Sequence, residues 1–467
     1  MNADGKRMNT ELDNYQRFIE SKRLVDMPTG FMAGNLSTRL FDFQSDAVKW
    51  ACGRGRAALF EDCGLGKTPQ QLVWAHQVLE HTGKAVLILA PLGVASQTVR
   101  EGKKFGIAVK LVTCQSEVTG PGIYVTNYEK LHRFELHQFG AVVLDESSIL
   151  KSYDGKTRNQ IIELGARIPF KLACTATPAP NDFMELGNHS EFLGVMSRTE
   201  MLATFFVHDG GDTSKWRLKG HAEQAFWKWI CSWAVNIRKP SDLGYSDKKF
   251  KLPKLNMQEH VVRSSQKMDG YLFALPASSL KERRDARRTS LSERVELAAS
   301  LADGEQWVFW CNMNSESDAL ARTLDAEEIR GDTSEEERDR IVLGFLDGSI
   351  KRVVTKPSIW GFGLNLQCCH NTALVGLSDS YEEFYQVIRR FYRFGQNHPV
   401  NAHIIISDLE GAVLANIKRK EADASRMADE MVKHMAQFST EAIKSQQRET
   451  IEYLPKIEME IPTWLAA

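Results

Sequence analysis

The 467-residue sequence predicts an α/β protein with two separate parallel sheets, a helical insertion between them and a helical C-terminal tail. Three observations predict it. Short runs apolar on both faces, "AVLILAP", "GIYVTNY", "AVVLDE" and "FKLACTAT", fall between residues 85 and 177. A second set, "WVFWCN", "KRVVTKP", "TALVGLSD" and "AHIIIS", falls between 307 and 407. Such runs suit strands buried on both faces, and the amphipathic segments between them suit crossover helices. Between the two sets the texture changes. Residues 195–255 are rich in Trp and Phe and end in the loop-like "RKPSDLGYSDKKFKLPKL". The expected organisation is an N-terminal extension (1–35), a first lobe (36–194), a helical insertion with connector (195–255), a second lobe (256–411) and a tail (412–467).

Bulk properties narrow the class. Hydrophobic content of 43% and charged content of 25% fit a soluble globular chain, and the length exceeds one core. The start, "MNADGKRMNTELDNYQRFIESK", lacks the apolar core of a signal peptide, and runs such as "AVLILAPL" are too short to cross a bilayer. No membrane partner is expected. The eight cysteines show neither Cys-x-x-Cys nor zinc spacing, which points to a reducing cytoplasm. Net charge is −1, so no global charge advertises nucleic acid, although one groove can be basic on a neutral chain. The local excess "KERRDARR", Lys281 to Arg288, reads equally as a solvated helix face.

Several helices carry their own signals. After Thr68, Leu72, Ala75 and Leu79 recur at helical spacing. "SEEERDRIVLGFLDG" offers Ser334 as N-cap with Glu337 at the capping-box position, and closes at Gly348. "SYEEFYQVIRRFYRFG" repeats the device with Ser380 and Glu383, closing at Gly395.

The chemistry-bearing stretches begin with "FEDCGLGKTPQQL". Gly64, Leu65, Gly66, Lys67 and Thr68 form a glycine turn ending in Lys-Thr, the means by which backbone wraps phosphate oxygens while the lysine reaches the terminal phosphates. The strict pattern wants glycine where Glu61 stands, so the stretch alone leaves a phosphate loop and a chance glycine turn both open. "VVLDESS" places Asp145 and Glu146 at a strand's carboxyl end, where one carboxylate could hold Mg²⁺ and the other orient water. Acidic pairs at strand ends are also common without function. "TATPAPND" after the next strand reads by itself as a Pro-rich turn. On the helix from 380, Gln386, Arg390 and Arg393 fall at i, i+4 and i+7 along one face, with Phe384, Ile388 and Phe391 opposite. Arginines presented together in this way suit neutralisation of a phosphate in transfer.

In order, "GLGKT", "DESS", "TATP", "GFGLNL" and "QVIRRFYRFGQ" resemble the motif series of superfamily-2 helicases, closest to the Swi/Snf-like DNA translocase branch. "LFDFQSDAVKW" resembles its adenine-reading segment, with Gln44 as the glutamine. "APLGVASQTVREGKKFG" and "YVTNYEKL" look like its first-lobe DNA-contacting motifs. "TPAPNDFMELGNHSEFLG", "IRGDTSEEERDRIVLGF" and "RFGQNHPV" are similar to further signatures of the branch. The resemblance covers about residues 36–410 and is highly specific. In that branch the residue at Glu61 is itself normally acidic, so the resemblance implies that the glycine turn is a phosphate loop. Three departures stand out: Ser148 replaces a histidine that links nucleotide to the second lobe, "DSYEE" replaces Trp-Asn-Pro, and Trp360 stands where a small residue is customary.

The resemblance implies two RecA-like lobes and a DNA-stimulated ATPase using ATP and Mg²⁺. It gives Lys67 and Thr68 to the phosphates and metal, Asp145 to the metal, Glu146 to the attacking water, Gln44 to the adenine, and Gln386, Arg390 and Arg393 to the transfer from the second lobe. Its track is DNA, duplex favoured over single strands, met through Pro91–Arg100, Thr126–Tyr128 and Gly361–Leu366. It further implies a stand-alone bacteriophage or prophage protein of the bacterial or infected-host cytoplasm, with an unidentified protein partner assigning its task. Two rival functions stay open on sequence: a strand-separating DNA or RNA helicase, and a slow ATP-dependent clamp or assembly factor.

Overall fold

The computed structural model describes residues 28–91, 94–152, 155–180, 182–209, 212–263, 287–360 and 365–445. Along the chain run β1 (Arg56–Glu61), β2 (Val86–Ala90), β3 (Val109–Leu111), β4 (Ile123–Asn127), β5 (Ala141–Asp145) and β6 (Phe170–Thr175). There follow β7 (Phe206–Asp209), β8 (Asp212–Leu218) and β9 (Ala234–Ile237). The second half contributes β10 (Leu255–Val262), β11 (Trp307–Trp310), β12 (Glu327–Ile329), β13 (Arg352–Thr355), β14 (Asn371–Val375) and β15 (Val400–Ser407).

Thirteen of these strands build two parallel sheets. The first has the order β3-β4-β2-β5-β6-β1-β9 and the second β10-β15-β14-β11-β13-β12. Every residue of β2, β4, β5 and β6 is buried, because crossover helices cover both faces, which is why those runs are continuously apolar. One detail of strand order matters most. β6 lies between β1 and β5, so the loop after β1 and the acidic pair after β5 are two strand spacings apart, about 10 Å. Thr175, at the tip of β6, sits between them.

The segment expected to be a helical insertion is mixed. It holds the helices Arg198–Phe205 and Glu223–Trp233, but also the antiparallel pair β7–β8, and its β9 pairs in parallel with β1 as the outer strand of the first sheet. Its aromatic residues explain the packing: Phe205, Phe226, Trp227 and Trp233 are buried in the first lobe's core. Of the N-terminal extension, residues 1–27 lie outside the described residues, as do 264–286 with most of "KERRDARR" and the tail beyond 445.

The tail forms one long helix, Gly411–Ser445, that straps both lobes. Val413, Leu414 and Ile417 pack into the second lobe's core, whereas Met431 and Met435 pack into the first. His434 stacks on Trp227 with ring centroids 5.3 Å apart, and Asp429 pairs with Arg238.

In the second lobe, Arg294 and Glu316 form a fully buried ion pair at 2.8 Å. The remaining oxygen of Glu316 accepts from the backbone N–H groups of Asn312 and Met313, each at 2.9 Å. Glu316→Ala strands a buried guanidinium and should cost about 3–5 kcal/mol. Denaturant unfolding of the second-lobe transition measures this. A loss below about 1 kcal/mol would contradict the account.

Candidate functional site

The glycine loop bridges β1 and the helix Lys67–Thr82. Gly64 and Gly66 have φ of 90° and 83°, so only glycine adopts this path without strain, and loop N–H groups and the helix N-terminus converge on one concavity suited to an anion. Lys67 Nζ folds over the loop and donates to Glu61 O at 2.8 Å and Asp62 O at 3.4 Å. Burial alone would lower its pKa, but Cys63, Glu146, Glu61 and Asp62 outweigh burial and keep it raised, so the ammonium stays charged. Glu61 is wholly buried beneath the loop; Gln70 Nε2 donates to it at 2.7 Å, and its other oxygen has no hydrogen-bond partner. Burial pushes its carboxyl up to about 7, against the opposing pull of Lys67 and Gln70.

The acidic pair closes the floor. Asp145 accepts from Gln71 Nε2 at 2.8 Å, and its backbone oxygen accepts from Tyr128 OH at 2.9 Å. Burial, then Glu146, push the Asp145 carboxyl up to about 6. Glu146 has a left-handed backbone with φ 57°, a conformation that costs a non-glycine residue about 1–3 kcal/mol and aims the side chain out of the strand direction. Thr175 Oγ1 donates to Glu146 Oε2 at 3.3 Å, so the Thr-Ala-Thr-Pro turn holds the carboxylate from the intervening strand. Below them Ser147 bonds His189 at 3.0 Å, and burial pushes that imidazole down to about 4.

From the second lobe comes the helix Tyr381–Phe391, capped by Ser380 Oγ on Glu383 N at 3.2 Å. Phe384, Ile388 and Phe391 face that lobe's core as their spacing predicts. The helix ends at Phe391, short of the expected Gly395, and its last carbonyls are taken by groups outside it. Leu366 N donates to Arg390 O at 3.0 Å, and Gln396 Nε2 donates to Phe391 O at 3.3 Å. Arg393 therefore sits on a turn beyond the helix. Arg390 Nη2 donates to Gln386 Oε1 at 2.6 Å, and both residues are buried. Burial, then Arg390, push the Arg393 guanidinium down to about 10, and its Nε has no hydrogen-bond partner.

These pieces meet in one cavity of about 630 Å³ between the lobes, lined by Lys67, Thr68, Asp145, Glu146, Arg390 and Arg393, with Gln44, Gly64 and Gly66. Leu65 and Gln386 do not line it. Leu65 lends its carbonyl to Gln44 Nε2 at 2.7 Å, and Gln386 lies behind Arg390. Gln44, expected at an adenine edge, has its amide oxygen engaged as well, accepting from Phe41 N at 2.9 Å, so in this structure it braces the loop and caps its helix.

Three aromatic residues at the cavity were missed on sequence. Phe41, Phe250 and Phe394 cluster with centroids 4.9–5.8 Å apart. They come from three remote segments, and no local periodicity joins them. The segments expected to meet DNA divide. Arg100 lines this same cavity, Thr126 to Tyr128 are buried with Tyr128 supporting Asp145, and 361–364 lie outside the described residues. Ser148, despite replacing a histidine, does reach the second lobe: its Oγ donates to Glu382 Oε1 at 3.0 Å. The charge set fits a nucleoside triphosphate with Mg²⁺. The loop and Lys67 offer donors to phosphates, Thr68 and Asp145 offer oxygens to a metal, and the partnerless Arg393 Nε is a donor awaiting an acceptor.

Residues 290–395, from ahead of β11 through the arginine-bearing turn, match the helicase conserved C-terminal domain. Among solved structures, the Sulfolobus solfataricus SWI2/SNF2 ATPase core in complex with dsDNA is similar at 18% identity and a TM-score of 0.42, over 90% of this chain and 99% of that one. No curated protein matches the chain. No helix among the described residues is long and apolar enough to cross a membrane.

The buried Glu61 gives a pH prediction. Its carboxyl moves from an ordinary 4.5 to about 7 in the fold, so folding favours the protonated form. That contribution to stability is complete below about pH 4.5 and is lost as the pH rises through about 7. Glu61→Gln cannot ionise, so it should match the parent near pH 4.5 and exceed it in stability at pH 8. Urea unfolding across that range checks it, and parallel pH profiles for the two proteins would contradict it.

Proposed function

We propose that this chain is a DNA-stimulated ATPase of Swi/Snf-like type, which hydrolyses ATP between its lobes to translocate along duplex DNA. One observation carries the reading: a glycine loop with a charged lysine and an adjacent Asp-Glu pair share a cavity with two arginines from the other sheet. An anion-binding site alone needs no second lobe, whereas arginines brought from one are placed to stabilise charge on a phosphoryl group in transfer.

ATP with Mg²⁺, when bound, supplies the phosphoanhydride whose terminal phosphoryl group passes to water. Lys67 and the loop N–H groups would hold the phosphate oxygens, Thr68 and Asp145 would hold the metal, and Phe41, Phe250 and Phe394 would give the base an apolar wall. Glu146 orients the water and takes its proton, with Thr175 fixing the carboxylate. Arg390 and Arg393 stabilise charge as it shifts, which requires the lobes to be closed. DNA lying across both lobes favours closure, and the phosphate contacts that hold it position the motor without reading sequence. The reading extends to remodelling of DNA or protein–DNA complexes, in phage replication, recombination or defence.

Three substitutions separate these roles. Lys67→Ala should lose ATP binding and turnover together. Glu146→Gln should bind ATP and not hydrolyse it. Arg393→Ala should keep near-parental ATP affinity while DNA-stimulated turnover falls about 10³-fold, because the guanidinium acts when charge moves. Equilibrium nucleotide binding and steady-state turnover with saturating duplex DNA give both numbers. Retained DNA-stimulated hydrolysis in Arg393→Ala would leave its turn a structural or DNA-binding role.

A further inference from the structure

The helix Tyr381–Phe391 presents more to the first lobe than the arginines of the cavity. Glu382, Tyr385 and Arg389 follow at i, i+3 and i+7, on one side. Tyr385 OH donates to Asp62 Oδ1 at 2.7 Å and Arg389 Nη2 to Asp62 Oδ2 at 3.2 Å, so both oxygens of one carboxylate are held from the other lobe. Asp62 Oδ1 also accepts from Cys63 N at 2.7 Å, which ties the carboxylate to its own loop. That loop is the one that carries Gly64 and Lys67, and Lys67 Nζ rests 3.4 Å from Asp62 O.

Asp62, Tyr385 and Arg389 do not line the nucleotide cavity. They line a second one, of about 210 Å³, shared with Thr177, Pro178 and Glu421. Arg389 lies over the rings of Tyr385 and Tyr392, 5.1 and 5.8 Å from their centroids. The side chains of Asp62 and Arg389 are each only 17% exposed, so solvent and salt screen this pair far less than a surface pair. Burial alone would lower the Arg389 pKa, and Tyr385, Asp62 and Cys63 more than reverse that.

Seven residues earlier on the same helix the polarity is reversed. Glu382 accepts from Ser148 Oγ at 3.0 Å and pairs with Lys151, just after the Asp145–Glu146 pair. Glu382 and Arg389 are about 10 Å apart along the helix axis. An acid of the first lobe meets a base of the second at one point, and a base meets an acid at the other. Turning the helix end for end would set Glu382 against Asp62 and Arg389 against Lys151, two like-charge contacts.

We propose that Asp62 is a positioning residue of the glycine loop, clamped by Tyr385 and Arg389, and that the Glu382–Lys151 contact fixes the register of closure. The clamp transmits lobe closure to the loop that holds Lys67, and opening releases it. This consequence rests on the ATPase reading; the clamp itself does not.

The test therefore has two readouts on the full chain. The first needs no nucleotide: single-molecule energy transfer between dyes at the exposed residues Lys84 and Asp339, introduced without touching the native cysteines. The parent should show a populated closed state. Arg389→Gln and Asp62→Asn should each shift molecules to open states, and the double variant should add little to either, since both break the same contact. Lys151→Glu should also open the lobes, and Lys151→Glu with Glu382→Lys should restore closure. The second readout is steady-state ATP hydrolysis with duplex DNA, in which Arg389→Gln should lower kcat/KM about tenfold, with Arg389→Lys partly rescued. Unaltered closed populations in Arg389→Gln and Asp62→Asn, or additive effects in the double variant, would overturn the clamp. If the dye distances respond as stated while no variant or parent hydrolyses ATP, the clamp stands and the ATPase reading falls.

Discussion

The two lobes meet backbone to backbone where one side chain is absent. A Cβ placed on Gly64 would lie 2.8 Å from Phe394 N and 3.5 Å from Arg393 Cα. The turn after the arginine helix can settle on the glycine loop only because Gly64 offers bare backbone there, and its φ of 90° lets the loop curve beneath that turn. This single approach carries Arg393 into the cavity of Lys67 and Glu146. It also brings the helix face with Glu382, Tyr385 and Arg389 against Asp62, Ser148 and Lys151. Gly66 serves a parallel purpose on the inner side, where a Cβ would fall 2.3 Å from Gln44 Nε2.

The cavity concentrates ionisable groups away from water, and the strand order explains why they tolerate one another. β6 separates the loop from the acidic pair, which leaves room for Thr175 to hold Glu146 while Lys67 and Arg390 offset the charge on Asp145. Two carboxyls, Glu61 at about 7 and Asp145 at about 6, sit higher than carboxyls in water because burial disfavours their charge. Such displaced values gather where charge has to be handled in a dry site. The donor left without a partner, Arg393 Nε, lies on the opposite wall.

Much of the fold was legible in the sequence wherever burial on both faces wrote a continuous apolar run, as in β2, β4, β5 and β14. Strands without that signature were not. β10 is largely exposed along its length, β3 and β12 have three residues each, and β9 hides inside "WICSWAVNIRK", a run with the look of a helix. Sequence placed Gln44, Lys67, Thr68, Asp145, Glu146, Arg390 and Arg393, and the structure brings all of them to one cavity. It did not place what depends on remote chain: Phe250 beside Phe41 and Phe394, the early end of the arginine helix at Phe391, or Asp62 under Arg389. Each is a contact between segments far apart in the chain, and local periodicity carries no trace of it.

The central question is whether the interlobe cavity hydrolyses nucleotide and is completed by DNA. The most direct measurement is steady-state ATP hydrolysis by the intact chain with no nucleic acid, with duplex DNA, with single-stranded DNA and with RNA, at one salt concentration. Slow hydrolysis alone, raised most by duplex DNA, is the predicted result. Hydrolysis indifferent to all four conditions, or absent throughout, would contradict it.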